Sequence, residues 1–91
     1  MRAARADANQ PAVVAALRKV GAIVYSLHRV GAGVPDLLVG FRGLTYLLEV
    51  KEPKGGVLTP QQIEFGLNWR GRPVSIVKSP DEALRAIGAV K

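Results

Sequence analysis

A chain of 91 residues is one domain's worth of polypeptide, and 48% apolar content makes it globular rather than disordered. The absence of cysteine excludes a disulfide framework and any thiolate metal site. Thirteen Lys and Arg against seven Asp and Glu leave a formal charge of +6, which points to a polyanionic partner because neutralising phosphates releases counterions; a solubility charge or an Arg-favouring genome is the plainer alternative.

No charged-then-apolar leader and no apolar run of membrane length stands in the sequence. The expectation is a soluble intracellular protein without a membrane partner or an organic cofactor. One domain is expected over 1–91, with an Ala/Arg-rich, frayed start at 1–7.

Asn9 suits the cap of a first helix with Pro11 in its first turn, running to about Val20 and ended by Gly21. Val13, Val14, Leu17 and Val20 keep helical spacing, and Gln10 falls on the same stripe. Residues 22–30 read as a strand, 31–35 as a Gly-rich loop, 36–41 as a second strand, Arg42-Gly43 as a turn and 44–51 as a third strand. A loop at 52–56 leads to a helix opened by Thr59 and Pro60 and ended by Gly71. Residues 73–78 form a fourth strand, and Ser79-Pro80-Asp81-Glu82 starts a last helix that reaches about Gly88. The order α-β-β-β-α-β-α predicts an α/β fold, a mixed central sheet flanked by helices.

With a two-residue turn at Arg42-Gly43, Phe41 pairs with Leu44, Gly40 with Thr45, and Asp36 comes to stand opposite Glu49. Directly opposed side chains share a face, with Cβ atoms roughly 5 Å apart. Lys51, two residues beyond Glu49, projects to that face, while Leu37, Val39, Tyr46, Leu48 and Val50 go to the other. Opposed carboxylates repel unless neutralised, and Mg²⁺ is commonly held by one or two carboxylates plus water and substrate phosphate. An adjacent ammonium then orients the attacking water and offsets developing phosphate charge. That set suits phosphodiester hydrolysis. The plainer alternative is that Asp36 simply starts a strand and Glu49 with Lys51 make a surface ion pair. Against it, these are the charged residues inside otherwise apolar strands, and a buried charge is costly unless paired or metal-bound. A three-residue 41–43 loop with a bulge at Gly43 is a competing register; it would send Asp36 and Glu49 to opposite faces.

Gly33-Val34-Pro35-Asp36, then Glu49-Val50-Lys51, then Leu58-Thr59-Pro60-Gln61-Gln62 resembles the PD-(D/E)xK nuclease superfamily. In particular it is similar to the small phage and bacterial virus-type replication-repair nucleases (VRR-NUC), relatives of Holliday junction resolvases. The likeness covers nearly the whole chain and implies the restriction-endonuclease-like αβββαβ core. It implies Asp36 and Glu49 as ligands of Mg²⁺ or Mn²⁺, the backbone carbonyl of Val50 as a third, and Lys51 as the residue that positions or activates water. Gln62 would be the family's helix glutamine beside the active site, although Thr59 to Gln62 also satisfies a capping box. One departure stands out: the glutamate expected near the start of the first helix is Gln10 here, almost isosteric but uncharged. The resemblance thus implies a DNA endonuclease acting on branched or structured DNA, Holliday junctions among them. It also implies a cytoplasmic location in a bacterial or phage-infected cell. The alternative is a nuclease-fold DNA-binding module whose catalysis is attenuated or lost through Gln10. A homodimer is expected, because symmetric cutting of a four-way junction needs two active sites.

Other basic residues sit near element ends and loops, among them Arg2, Arg5, Arg29, Arg42, Lys54, Arg70, Arg72 and Lys78. His28 and Arg29 are candidate phosphate contacts, with Gly31 and Gly33 letting backbone approach a duplex, and Arg42 and Lys54 as further DNA contacts. A lone His is more commonly a surface or packing residue. Gly55-Gly56 is expected in a flexible DNA-facing loop, and Trp69 in the core.

Overall fold

The computed structural model of the protein describes residues 8–91. The expected frayed start, with Arg2 and Arg5, lies outside those residues. Within them the chain forms α1 (Gln10–Lys19), β1 (Ile23–Ser26), β2 (Leu37–Phe41), β3 (Leu44–Val50), α2 (Pro60–Asn68), β4 (Ser75–Val77) and α3 (Pro80–Ala86). This is the predicted order, with shorter elements.

The β2–β3 hairpin sets the register of everything else. Arg42 and Gly43 have φ of +51° and +82°, the signature of the mirror-image two-residue turn that matches strand twist. Phe41 therefore pairs with Leu44, Val39 with Tyr46 and Leu37 with Leu48, and the bulged alternative is not adopted. The sheet runs β1-β2-β3-β4, antiparallel at the first two junctions and parallel between β3 and β4. A parallel pair needs a crossover, and α2 lies in it.

One face of the sheet holds the core. Leu37, Val39, Phe41, Tyr46, Leu48 and Val50 alternate onto it and join Val13 and Leu17 of α1, Ala83 of α3 and Ile87 just beyond it. The opposite face carries Glu49 and its cross-strand neighbour Ile76, which with Gln62 and Ile63 of α2 line an open groove. No residue of α2 is buried. Gln62 ties that helix to Glu49 of β3 by a hydrogen bond.

Several predicted boundaries move. β1 stops at Ser26 rather than Val30, because Leu27 makes a last bond to the Asp36 carbonyl and Val30 then folds back onto Leu27. Val20 is exposed at the C-cap of α1. β4 is confined to three residues, and α2 ends at Asn68 because Trp69 takes an extended conformation, φ −66° and ψ 131°. The last helix is capped by Ser79, whose hydroxyl accepts from the Glu82 amide, while the Glu82 carboxylate accepts from Lys78.

Candidate active site

Strand pairing carries Asp36 and Glu49 to one place. The β2–β3 ladder closes at Leu37 with Leu48, so the next rung sets Asp36 against Glu49. Pro35, buried, delivers the chain to that point. The Asp36 carboxylate is fixed by its own bond: Oδ2 accepts from the Val50 amide at 2.8 Å. The carboxylate is thereby held against the Glu49-Val50 backbone from the neighbouring strand.

Glu49 is 3% exposed, a burial that a carboxylate tolerates only with partners. Gln62 Nε2 donates to Glu49 Oε2 at 2.9 Å, and Lys51 Nζ stands 3.7 Å from the same oxygen. Gln62 Oε1 in turn accepts from Lys51 Nζ and from the Thr59 amide, each at 2.9 Å. Thr59 Oγ1 completes the capping box by accepting from the Gln62 amide. Gln62 thus completes the capping box and bonds both Glu49 and Lys51. The cap orients its amide group, leaving the NH₂ end for the carboxylate and the oxygen for the ammonium.

Three backbone contacts hold this cluster. A Cβ on Gly33 would collide with the Gln61 carbonyl, so the 31–35 loop and the first turn of α2 approach each other only because residue 33 is glycine. At Gly56 a Cβ would fall 2.8 Å from Lys51 Cβ; the loop expected to be flexible instead packs against Lys51 at that point, with Lys54 and Gly55 exposed. Asn9 does not cap α1 with its side chain. Its Nδ2 donates to the carbonyls of Lys51 and Lys78, both at 3.0 Å, tying the ends of β3 and β4 together. These partners lie 42 and 69 residues away, and the sequence offers no sign of them.

Other predicted positions fall elsewhere. Gln10 is the first residue of α1, 6% exposed, with an Oε1 that has no hydrogen-bond partner among the described residues. It lines a surface depression with Pro11, Val14, Ala15 and Arg18, separate from the groove that contains Glu49 and Gln62. Arg42 sits at the hairpin tip over the Phe41 ring, about 20 Å from Asp36 at about 3.4 Å per strand residue. It is not a neighbour of the carboxylates. His28 lies in the turn after β1 and shares a 2.6 Å hydrogen bond with Ser26 Oγ. Arg29 and Gly31 are exposed nearby, whereas Gly33 serves α2 rather than an open surface. Trp69 is 45% exposed, not a core residue, and stacks on Phe65.

The assembled group is two carboxylates, an ammonium and an amide at the edge of a groove of about 270 Å³. The described residues contain no cluster of three or more His, Cys, Asp or Glu able to hold a metal. Two neighbouring carboxylates nevertheless match the way Mg²⁺ is bound, through one or two carboxylates with water and phosphate completing the shell.

No family model matches the sequence, and no curated protein matches it either. The fold, however, is similar to a solved structure described as "VRR_NUC domain", with a TM-score of 0.71 at 25% identity, covering 93% of this chain and 100% of that one. No helix of the described residues is long and apolar enough to cross a membrane. The likeness runs across 93% of the chain, and Asp36, Glu49, Lys51 and Gln62 come together within it; the chain has the fold of a VRR-NUC nuclease domain, the family that its motifs resemble.

Proposed function

We propose that this domain is a Mg²⁺- or Mn²⁺-dependent DNA endonuclease acting on branched or structured DNA, with Holliday junctions among its candidate substrates. The observation that carries the reading is the Glu49–Gln62–Lys51 chain of contacts on the same face as Asp36. Asp36, Glu49 and the Val50 carbonyl would hold the metal, which when bound supplies Lewis acidity at the scissile phosphate. Lys51 orients the attacking water and offsets negative charge as the water oxygen bonds to phosphorus and the phosphorus–sugar-oxygen bond breaks, the water giving up a proton to solvent and the departing sugar oxygen taking one from it. Gln62 keeps that ammonium and the Glu49 carboxylate at fixed separation. The net charge of +6 supports binding to a phosphate backbone; the preference for branched DNA and a bacterial or phage-infected cytoplasm rest on the family resemblance.

A homodimer accompanies this reading, since two symmetric cuts need two sites. Light scattering checks the state: a monomer at micromolar concentration with full junction cutting would rule the dimer out.

A second reading is favoured by one observation. Gln10 is buried and neutral at the position where the family resemblance calls for a glutamate, and on that reading the domain binds DNA without cutting it. A labelled four-way junction with Mg²⁺ or Mn²⁺ separates the two. Cleavage by the native protein that is lost in Lys51→Ala supports the enzyme. Binding without cleavage, with cutting restored by Gln10→Glu, supports the binding module and overturns the first reading.

A further inference from the structure

Phe65 and Trp69 stack with ring centroids 5.1 Å apart and 18° between their planes. With Trp69 45% exposed, the pair presents an aromatic surface to solvent. A Cβ on Gly71 would fall 2.7 Å from Trp69 Nε1, so the chain beyond the indole lies directly against it and limits its movement. Ala32, Gln61, Glu64 and Asn68 line a depression with the two rings. Its far wall is the 31–34 turn, closed by Val34 onto the Gly31 carbonyl, where Ala32 takes the left-handed φ of +58° that is strained for an alanine.

Gln62, Phe65 and Trp69 are spaced i, i+3 and i+7, one stripe of α2. The helical bond continues to Trp69, whose amide donates to the Phe65 carbonyl. At about 1.5 Å per residue the indole is about 10 Å along the axis from Gln62, roughly three base steps at about 3.4 Å each. We propose that Phe65, Trp69 and the 31–34 turn form a stacking platform for an unpaired nucleobase of the strand being cut. The rim favours a base over other occupants. The amides of Gln61 and Asn68 can donate to and accept from base edges, whereas the Glu64 carboxylate repels phosphate and suits an exocyclic amine. Exposed Arg70 follows directly in the chain, bringing positive charge for the flanking backbone. Stacking tolerates any base, and a base inside a duplex is already stacked, so the platform selects nucleotides at a branch, a frayed end or a single strand. The proposal rests on the nuclease reading and narrows its substrate to DNA with unpaired bases beside the cut.

Trp69 is the chain's one tryptophan, which makes the test direct. Intrinsic fluorescence of the full chain is followed in chelator, so that nothing is cut, while oligothymidylate or a blunt duplex of equal length is added; anisotropy of labelled DNA reports binding independently. The expected result is quenching by the single strand and little by the duplex. Single-strand affinity should fall about fivefold to a hundredfold in Trp69→Ala, largely recover in Trp69→Phe, and leave duplex affinity within about twofold. Normal DNA binding with no quenching, or equal quenching by both DNAs, overturns the platform and leaves the nuclease reading standing. No binding of any DNA overturns both. A tryptophan signal that changes on dilution without DNA assigns the stack to a second copy and overturns the proposal.

Discussion

Gln62 donates to Glu49 at 2.9 Å while the same side chain accepts from the Thr59 amide that it caps. One residue thus terminates a helix and holds a buried carboxylate, and substitution separates the two roles. A capping box accepts Glu as readily as Gln at this position. Gln62→Glu keeps the cap but sets a second negative charge against Glu49, whereas Gln62→Ala loses both bonds. We expect Gln62→Ala to cost about 1–3 kcal/mol, the range for unsatisfying a buried group and weakening a cap. Gln62→Glu should cost a comparable amount in chelator and regain stability with Mn²⁺. Thermal melting checks this; a Glu variant that melts like the native protein in chelator would reduce Gln62 to a cap.

Asp36 offers the cleanest test of metal binding. Its Oδ2 bond to the Val50 amide can be kept by an Asn oxygen, so Asp36→Asn removes charge with little structural loss. Mn²⁺ at about 100 times its dissociation constant should stabilise the native protein by about 2.7 kcal/mol. At about 4–8 °C per kcal/mol for a domain of this size, the melting temperature rises by more than 10 °C. In Asp36→Asn the rise should shrink by more than half. An unchanged melting temperature in the native protein would remove the metal from the proposal.

Gly33 and Gly31 make a matched pair. Both have left-handed φ, +79° and +75°, yet a Cβ on Gly31 meets nothing within 4 Å while one on Gly33 collides with the Gln61 carbonyl. Gly31→Ala should therefore cost about 1–2 kcal/mol, the backbone strain alone. Gly33→Ala should cost at least about 2 kcal/mol more, because α2 must shift. Since Gln61 adjoins Gln62, it should also lower cleavage where Gly31→Ala does not. Equal stabilities in urea for the two variants would mean that the loop, not the helix, absorbs the clash.

Local signals made the hairpin legible. Arg42-Gly43 suits a mirror-image turn, and alternation on both strands leads from it to Asp36 opposite Glu49. The cap at Thr59 was equally local. What escaped the sequence depends on distant partners. Gly33 reads as a permissive loop glycine, and only the fold shows α2 pressed against it. Trp69 reads as core by hydrophobicity, but no residue of α2 is buried, and the indole just beyond its end stays exposed with it. Gln10 follows the buried stripe of α1, as its spacing predicts.

Asn9 shows how a correct local rule can assign the wrong job. Asn, Asp and Ser are nearly equal as helix N-caps, so a capping role predicts that Asn9→Asp and Asn9→Ser are almost neutral. The observed role is different: the amide nitrogen donates twice, to the carbonyls of Lys51 and Lys78. Neither replacement supplies two donors, and an aspartate sets a charged acceptor against two acceptors. Asn9→Ser should cost about 1–2 kcal/mol and Asn9→Asp at least about 2 kcal/mol, a fall of about 8 °C or more in melting temperature for the latter. Because the Lys51 carbonyl is one of the two anchors, both variants should also reduce cleavage measured well below their melting points. A melting temperature for Asn9→Asp within a degree or two of the native value would return Asn9 to the helix and leave β3 and β4 held by their backbone ladder alone.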